Sequence, residues 1–163
     1  FIKKNLESIK SCESGVLGPL IRTCANIKAK IVALDEFDNK GTRMILNFGH
    51  TFGHAIETSC GYKVSHGEGV AIGMVCAAHL SVELGLLEVK TERAIKELIT
   101  RIGLPTKTKK IKLKFIVRAL SHDKKFSQGT NRFVLLEKIG KTKIVNDIPE
   151  KLIRKILLEQ QAD

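Results

Sequence analysis

The chain contains 163 residues, of which 43% are hydrophobic and 28% are charged, and this composition is ordinary for one globular domain with a hydrophobic core. No apolar run reaches the roughly 20 residues that cross a bilayer, and no signal peptide is recognisable, so we expect a cytoplasmic protein. The net charge of +11 leaves two kinds of partner open, a nucleic acid and an anionic metabolite.

The first predicted helix with a clear apolar face runs from Pro19 to about Leu34. Lys28 falls within that face, so its amine either extends back to solvent or points into a binding site. A polar connection of residues 35–42, which contains Asp38, follows this helix. These features place a candidate ligand-binding lysine just upstream of the central motif.

The central motif is a predicted helix that starts at Arg43 and ends near Gly61. At about 100° per residue, four polar side chains share one stripe about 60° wide: Arg43, Asn47, His50 and His54. An ordinary amphipathic helix would carry Leu or Val on its buried stripe. Gly49 and Gly53 leave part of the helix surface bare, so we expect another backbone or a ligand to come close.

The rest of the chain is predicted to be mainly helical, with one β-hairpin on either side of Gly140. The last helix has a capping-box-like start at Asp147 and Glu150. The other predicted elements are helices at 66–84, 91–102 and 113–122 and strands at 132–137 and 142–145.

The histidines are candidate metal ligands. His50 and His54 are four residues apart, a spacing that lets two imidazoles on a helix reach one metal ion, although two hydrogen-bonded core histidines would have the same spacing. His66 follows twelve residues later. Glu57 either contacts this site or is an exposed acid. Glu68 either accepts a hydrogen bond from a metal-bound imidazole or caps its helix.

The four cysteines include no C-x-x-C pair, which argues against a zinc site built from thiolates. No secretory context supports two disulfides, so we expect free thiols in a reducing compartment. The metal site, if present, is therefore predicted to use the histidines.

Two stretches resemble the 3-dehydroquinate synthase family: R-M-I-L-N-F-G-H-T-F-G-H-A-I-E from Arg43, and G-Y-K-V-S-H-G-E-G-V-A-I-G-M from Gly61. The likeness continues to H-D-K-K near Lys124 and to R-F-V-L-L. It implies a mainly α, multi-helix C-terminal domain, with one small β-hairpin, over residues 1–163. The N-terminal NAD-binding domain of that family has no counterpart here, so we expect a fragment that folds but is inactive alone.

The resemblance implies a lyase of the shikimate pathway. The family converts 3-deoxy-D-arabino-heptulosonate 7-phosphate to 3-dehydroquinate and phosphate, with zinc or cobalt and NAD as cofactors. The full enzyme is expected to be a homodimer that binds neither membrane nor nucleic acid. Two alternatives remain: another NAD- and zinc-dependent sugar-phosphate cyclase, and a basic helical module that binds nucleic acid.

The resemblance also assigns roles to residues. The family histidines that match His50 and His66 bind zinc, and the one that matches His54 takes part in proton transfer. The third metal ligand is a glutamate from an upstream helix that this chain does not contain. Substrate contacts match Lys28, Arg43, Asn47 and one of Lys124 and Lys125. Asp38 matches the family's catalytic acid only if the loop has a one-residue insertion, because Asn39 occupies the expected position. Gly69 stands where the family usually has Ala.

Overall fold

The computed structural model describes residues 1–108, 116 and 131–161. Lys124, Lys125 and most of the helix predicted at 113–122 lie outside the described residues. The chain divides into two compact units, Phe1–Leu46 and Asn47–Asp163, which are referred to below as unit 1 and unit 2. Among the described helices, none combines the length and the apolar character that a bilayer crossing requires.

Unit 1 contains two helices, α1 at Leu6–Lys10 and α2 at Ser14–Leu34, after a 3-10 turn at Ile2–Lys4. The predicted start of α2 at Pro19 is wrong, because the helix begins five residues earlier and the proline lies inside it. The apolar face of α2 is largely exposed and contains no buried residue. Lys28 is also exposed.

The loop after α2 is built around one buried carboxylate. Oδ1 of Asp35 accepts hydrogen bonds from the backbone N–H groups of Asn39 and Lys40, both at 3.0 Å. Oδ2 accepts from Thr42 at 2.9 Å and from Arg43 at 3.4 Å. Burial raises the pKa of Asp35, but these four donors outweigh it and hold the pKa below its usual value. One side chain therefore fixes the path of the whole loop.

Unit 2 contains four described helices and one hairpin. The helices are α3 at His50–Ser59, α4 at His66–Glu83, α5 at Val89–Ile102 and α6 at Glu150–Glu159. The antiparallel strands β1 at Arg132–Lys138 and β2 at Lys141–Asn146 are joined at Gly140, whose φ of +82° suits a tight turn. The predicted mainly α fold with one small hairpin is confirmed.

Helix α4 is the centre of unit 2. Its Gly-, Ala- and Val-rich sequence buries residues on most sides, as predicted for a helix with few charges. The hydroxyl of Ser81 donates to the Ala77 carbonyl and accepts from the Leu136 N–H at 3.0 Å, which joins α4 to β1. Phe52 of α3 packs on Phe133 of β1, with ring centroids 5.0 Å apart. The core therefore fixes α3 and α4 against the hairpin.

Helix α6 does not begin as predicted. Pro149 precedes it, no side chain caps it, and Asp147 has a left-handed φ of +58°. The segment before α6 is held by Asn131, whose side-chain amide donates to the Ile148 carbonyl and accepts from the Ile148 N–H, both at 2.8 Å. This contact fixes the chain before α6 in place of a capping box. The inward positions were predicted correctly, since three of the four are fully buried: Ile153, Ile156 and Leu157.

Candidate metal and substrate site

The predicted single helix from Arg43 to Gly61 is interrupted at Gly49. Residues Thr42–Asn47 form a 3-10 helix, Gly49 has a left-handed φ of +83°, and α3 begins at His50. The prediction that Arg43 and Asn47 share one α-helical stripe with the histidines is therefore wrong. The predicted C-terminal end is correct, because Gly61 has a φ of +60° and follows the last turn of α3.

Four glycines allow α3 and α4 to pack backbone to backbone. A Cβ added at Gly73 would lie 2.0 Å from the carbonyl oxygen of Gly49, and one added at Gly53 would lie 3.1 Å from the backbone of Gly69. No side chain larger than a hydrogen atom fits at Gly73 without moving one of the two helices. The expectation that another backbone approaches the glycine-rich surface is confirmed, and that backbone belongs to α4.

This close packing brings three imidazoles together at the junction of α3 and α4. The ring centroids of His50 and His66 are 5.4 Å apart, those of His50 and His54 are 5.5 Å apart, and those of His54 and His66 are 5.7 Å apart. His50 is partly buried, whereas His54 and His66 are exposed. The three rings form an open cluster that a ligand can enter.

The environment of His50 favours the neutral form that a metal requires. Burial lowers its pKa, and the nearby imidazoles of His54 and His66 lower it further, whereas the Phe48 carbonyl acts in the opposite direction. Nδ1 of His50 lies 3.4 Å from that carbonyl, so a proton on Nδ1 leaves Nε2 free. A neutral imidazole with one oriented nitrogen is the usual form of a metal-binding histidine.

The two acidic candidates have different contacts. Glu57 is buried, so its interpretation as an exposed acid is wrong, and its Oε1 lies 3.1 Å from Nδ1 of His66. Glu68 forms a capping box with Ser65 at the start of α4, as one of its two interpretations predicted. One ligand atom from each of His54, Glu57 and His66 lies within 4.8 Å of the others. Such a nitrogen and oxygen donor set suits zinc.

The other predicted site residues are spread along the chain. Lys28, Asp38 and Arg43 belong to unit 1. Asp38 is exposed with a φ of +52°, and a guanidinium nitrogen of Arg43 donates to the Glu36 carbonyl at 3.2 Å. Asn47 is partly buried at the first position of unit 2. The roles of these residues stay predictions.

The sequence analysis missed two structural features that position site residues. Asp35 was passed over, although an aspartate before a loop rich in Asp, Asn and Gly is typical of side-chain-to-backbone hydrogen bonding. The packing of the α4 glycines against the preceding segment was also missed. The signal was a G-x-x-x-G spacing in each of the two packed segments, at Gly49 and Gly53 and again at Gly69 and Gly73.

Solved structures place this fold among the sugar-phosphate cyclases. One is 2-deoxy-scyllo-inosose synthase complexed with carbaglucose-6-phosphate, NAD+ and Co2+, which matches with a TM-score of 0.76 and 26% identity over 86% of this chain and 41% of that chain. Another is the 2-epi-5-epi-valiolone synthase ValA from Streptomyces hygroscopicus subsp. jinggangensis 5008, with NAD+ and Zn2+ bound. Its TM-score is 0.81, and its 21% identity over 96% of this chain and 44% of that chain supports the fold alone.

Within this class, the chain belongs to the 3-dehydroquinate synthase family, whose C-terminal domain profile matches residues 1–126. The 3-dehydroquinate synthase of Dehalococcoides mccartyi strain CBDB1 is 42% identical over 160 residues, which are 98% of this chain and 44% of the relative. That of Colwellia psychrerythraea is 42% identical over 159 residues, which are 96% of this chain and 45% of the relative. The chain thus spans less than half of these curated relatives and corresponds to their C-terminal half. This membership favours the enzyme over the nucleic-acid-binding alternative.

Proposed function

We propose that this chain is the metal- and substrate-binding part of a 3-dehydroquinate synthase. The reaction would convert 3-deoxy-D-arabino-heptulosonate 7-phosphate to 3-dehydroquinate with loss of phosphate. The observation that carries the proposal is the convergence of His50, His54 and His66, with ring centroids 5.4–5.7 Å apart, on a glycine-lined helix junction in a chain of this family. A cytoplasmic homodimer is part of the same proposal.

His50 and His66 would hold the metal ion, zinc or cobalt. Their imidazoles are nitrogen donors, and a catalytic zinc site normally has three protein ligands, so a carboxylate from outside this chain would complete the set. A bound zinc ion would polarise the hydroxyl that is oxidised. His54, whose ring lies beside both, is exposed and would move a proton to or from the substrate.

The charged residues and the amide of Asn47 would bind and orient the substrate. The fork of Arg43 suits a carboxylate or a phosphate, the amide of Asn47 suits a hydroxyl, and Lys28 together with Lys124 or Lys125 would supply further positive charge. Asp38 would assist the base. The nicotinamide cofactor, which takes up a hydride from the substrate and later returns it, would be bound mainly by the half of the relatives that this chain does not match.

A chimera tests the proposal. This chain replaces the matching C-terminal half of the Dehalococcoides mccartyi enzyme, and phosphate release is measured with NAD, zinc and the seven-carbon substrate. We expect turnover by the chimera, none by the 163-residue chain alone, and none by the His54→Ala chimera although it retains zinc. A folded chimera that binds zinc and NAD but releases no phosphate would contradict the proposed reaction.

Lys28 offers a second test with a matched control. Lys28 and Lys30 are both exposed on α2, but only Lys28 lies within the apolar face. Methionine keeps the length of either side chain and removes its charge. In the chimera, Lys28→Met is expected to raise KM or lower kcat, whereas Lys30→Met leaves both unchanged. Equal kinetics for the two variants would assign Lys28 to the solvated surface.

A further inference from the structure

Glu57 is a buried carboxylate directed at an exposed imidazole. The Glu57 side chain is 11% exposed to solvent, whereas the His66 side chain is 60% exposed. The two carboxylate oxygens lie 3.1 and 3.4 Å from Nδ1 of His66. Glu57 lies in the last turn of α3 and His66 is the first residue of α4, so this contact joins the two helices at the histidine cluster.

Gly69 provides the space that the Glu57 side chain occupies. A Cβ at this position would lie 2.8 Å from Cγ and 3.0 Å from Oε1 of Glu57. The carboxylate therefore lies against the bare backbone of α4 and reaches back one turn to His66. The nearby Glu68 is directed elsewhere, since its Oε2 accepts from the N–H of Ser65 at 2.9 Å.

We propose that Glu57 is a positioning residue for His66, an inference that rests on the proposed metal site. A carboxylate accepts hydrogen bonds, so the contact selects the state of His66 with a proton on Nδ1, and in the neutral ring this leaves the Nε2 lone pair free for the metal. The same contact restricts rotation of a ring that is otherwise open to solvent. Glu57 thus has the same role for His66 as the Phe48 carbonyl has for His50, because each accepts a hydrogen bond from Nδ1 of its histidine.

The competing possibility is direct coordination. One ligand atom each of His54, Glu57 and His66 lies within 4.8 Å of the others, so Glu57 could itself bind the metal. The observed geometry favours positioning, because both carboxylate oxygens are already within 3.4 Å of Nδ1 of His66. Substitution by glutamine separates the two roles, since an amide oxygen still accepts a hydrogen bond but is a poorer metal ligand than a carboxylate.

The tautomer of His66 is the direct readout. The 15N-labelled chain without metal is studied at about pH 8.5, two units above the ordinary pKa of histidine, where long-range 1H–15N correlations show which nitrogen carries the proton. We expect Nδ1–H in the wild type and in Glu57→Gln, and loss of this preference in Glu57→Ala. His79 is an internal reference, because its two nitrogens contact Glu92 and Glu159 instead.

Zinc affinity of the chimera, which contains the half of the enzyme that this chain lacks, is the second readout. Loss of such a supporting hydrogen bond costs roughly 10- to 100-fold in affinity, so we expect that loss for Glu57→Ala and much less for Glu57→Gln. Equal losses in the two variants would overturn positioning in favour of direct coordination, and so would an Nε2–H tautomer in the wild type. The expected tautomer in the wild-type chain together with no zinc affinity in the chimera would count against the proposed metal site alone.

Gly69→Ala tests the space that Glu57 uses, with Gly67→Ala as its matched control. Gly67 is also in the first turns of α4, but a Cβ there meets nothing within 4 Å. We expect Gly69→Ala to displace the carboxylate and to weaken the Nδ1–H preference less than Glu57→Ala does, and Gly67→Ala to leave it unchanged. When Glu57→Ala is already present, adding Gly69→Ala should not change the Nδ1–H preference of His66 any further. An equal change of the Nδ1–H preference in Gly69→Ala and Gly67→Ala would contradict the inference that Glu57 needs the space at Gly69.

Discussion

Gly73→Ala should separate the two helices that carry the histidines. The new Cβ would lie 2.0 Å from the carbonyl oxygen of Gly49, and ordinary contact begins near 3.4 Å, so α3 and α4 must move apart by about 1.4 Å. Overpacking of this kind costs about 1–3 kcal/mol, and sometimes more when the clash is with backbone. Removal of a helical glycine returns at most about 1 kcal/mol. Because the 2.0 Å approach to a backbone oxygen places the cost at the upper end of this range, we expect a net loss of about 2 kcal/mol from the free energy of unfolding.

Urea-dependent hydrogen exchange of the buried α4 amides measures this loss for unit 2 alone. Gly67→Ala, where the added methyl meets nothing within 4 Å, should leave stability unchanged or slightly increased. Zinc affinity should fall in Gly73→Ala because the His66 ring on α4 moves away from the His50 and His54 rings on α3. A Gly73→Ala protein as stable as the Gly67→Ala protein, with full zinc affinity, would refute the backbone contact between α3 and α4.

Three further predictions concern single side chains. In the chimera, His50→Ala and His66→Ala should lose zinc, whereas His54→Ala keeps it; zinc retained by His66→Ala and lost by His54→Ala would reverse the assignment. Asp35→Asn should speed hydrogen exchange of the loop amides, and unaltered exchange in this variant would contradict the role of Asp35. In the wild type, the stabilisation by the carboxylate is fully present above the pKa that Asp35 has in the unfolded chain. The loop should therefore lose protection only as the pH falls through the lowered pKa of Asp35 in the folded chain. His79→Ala should cost about 2 kcal/mol in urea unfolding, because a side chain 2.7 Å from carboxylates on both α5 and α6 is lost, and a change below about 0.5 kcal/mol would refute that role.

The hydrophobic pattern predicted most of unit 2, because α5 and α6 each bury one face and α4, which has few charges, is buried on most sides. The bounds of α4 differ from the prediction by a single residue, and α5 buries Ile95 and Ile99 as its pattern required. Both hairpin strands lie within one residue of their predicted ends. The apolar residues of these elements pack into the core of unit 2, so the burial predicted from local sequence agrees with the tertiary packing.

Periodicity failed where a backbone contact decides the structure. The stripe from Arg43 to His54 has helical spacing, but the approach of Gly73 to the Gly49 carbonyl coincides with a left-handed residue that ends the pattern. Hydrophobic periodicity does not detect a glycine contact, and the only sign of this partner in the sequence is the G-x-x-x-G spacing of the two segments. The proximity of His50 and His54 was nevertheless predicted from their spacing, which depends on α3 alone, whereas His66 entered the predicted site through the resemblance to the family.

The buried carboxylate of Asp35 also bears on how this loop tolerates changes in length during evolution. Its two oxygens fix the backbone at residues 39, 40, 42 and 43, whereas Glu36, Phe37 and Asp38 extend outward as exposed residues. An extra residue in the outward part would lengthen the bulge without moving either fixed end. A change of length at 36–38 is therefore compatible with an unchanged backbone at Arg43, and this includes the one-residue insertion that would align Asp38 with the family's acidic position.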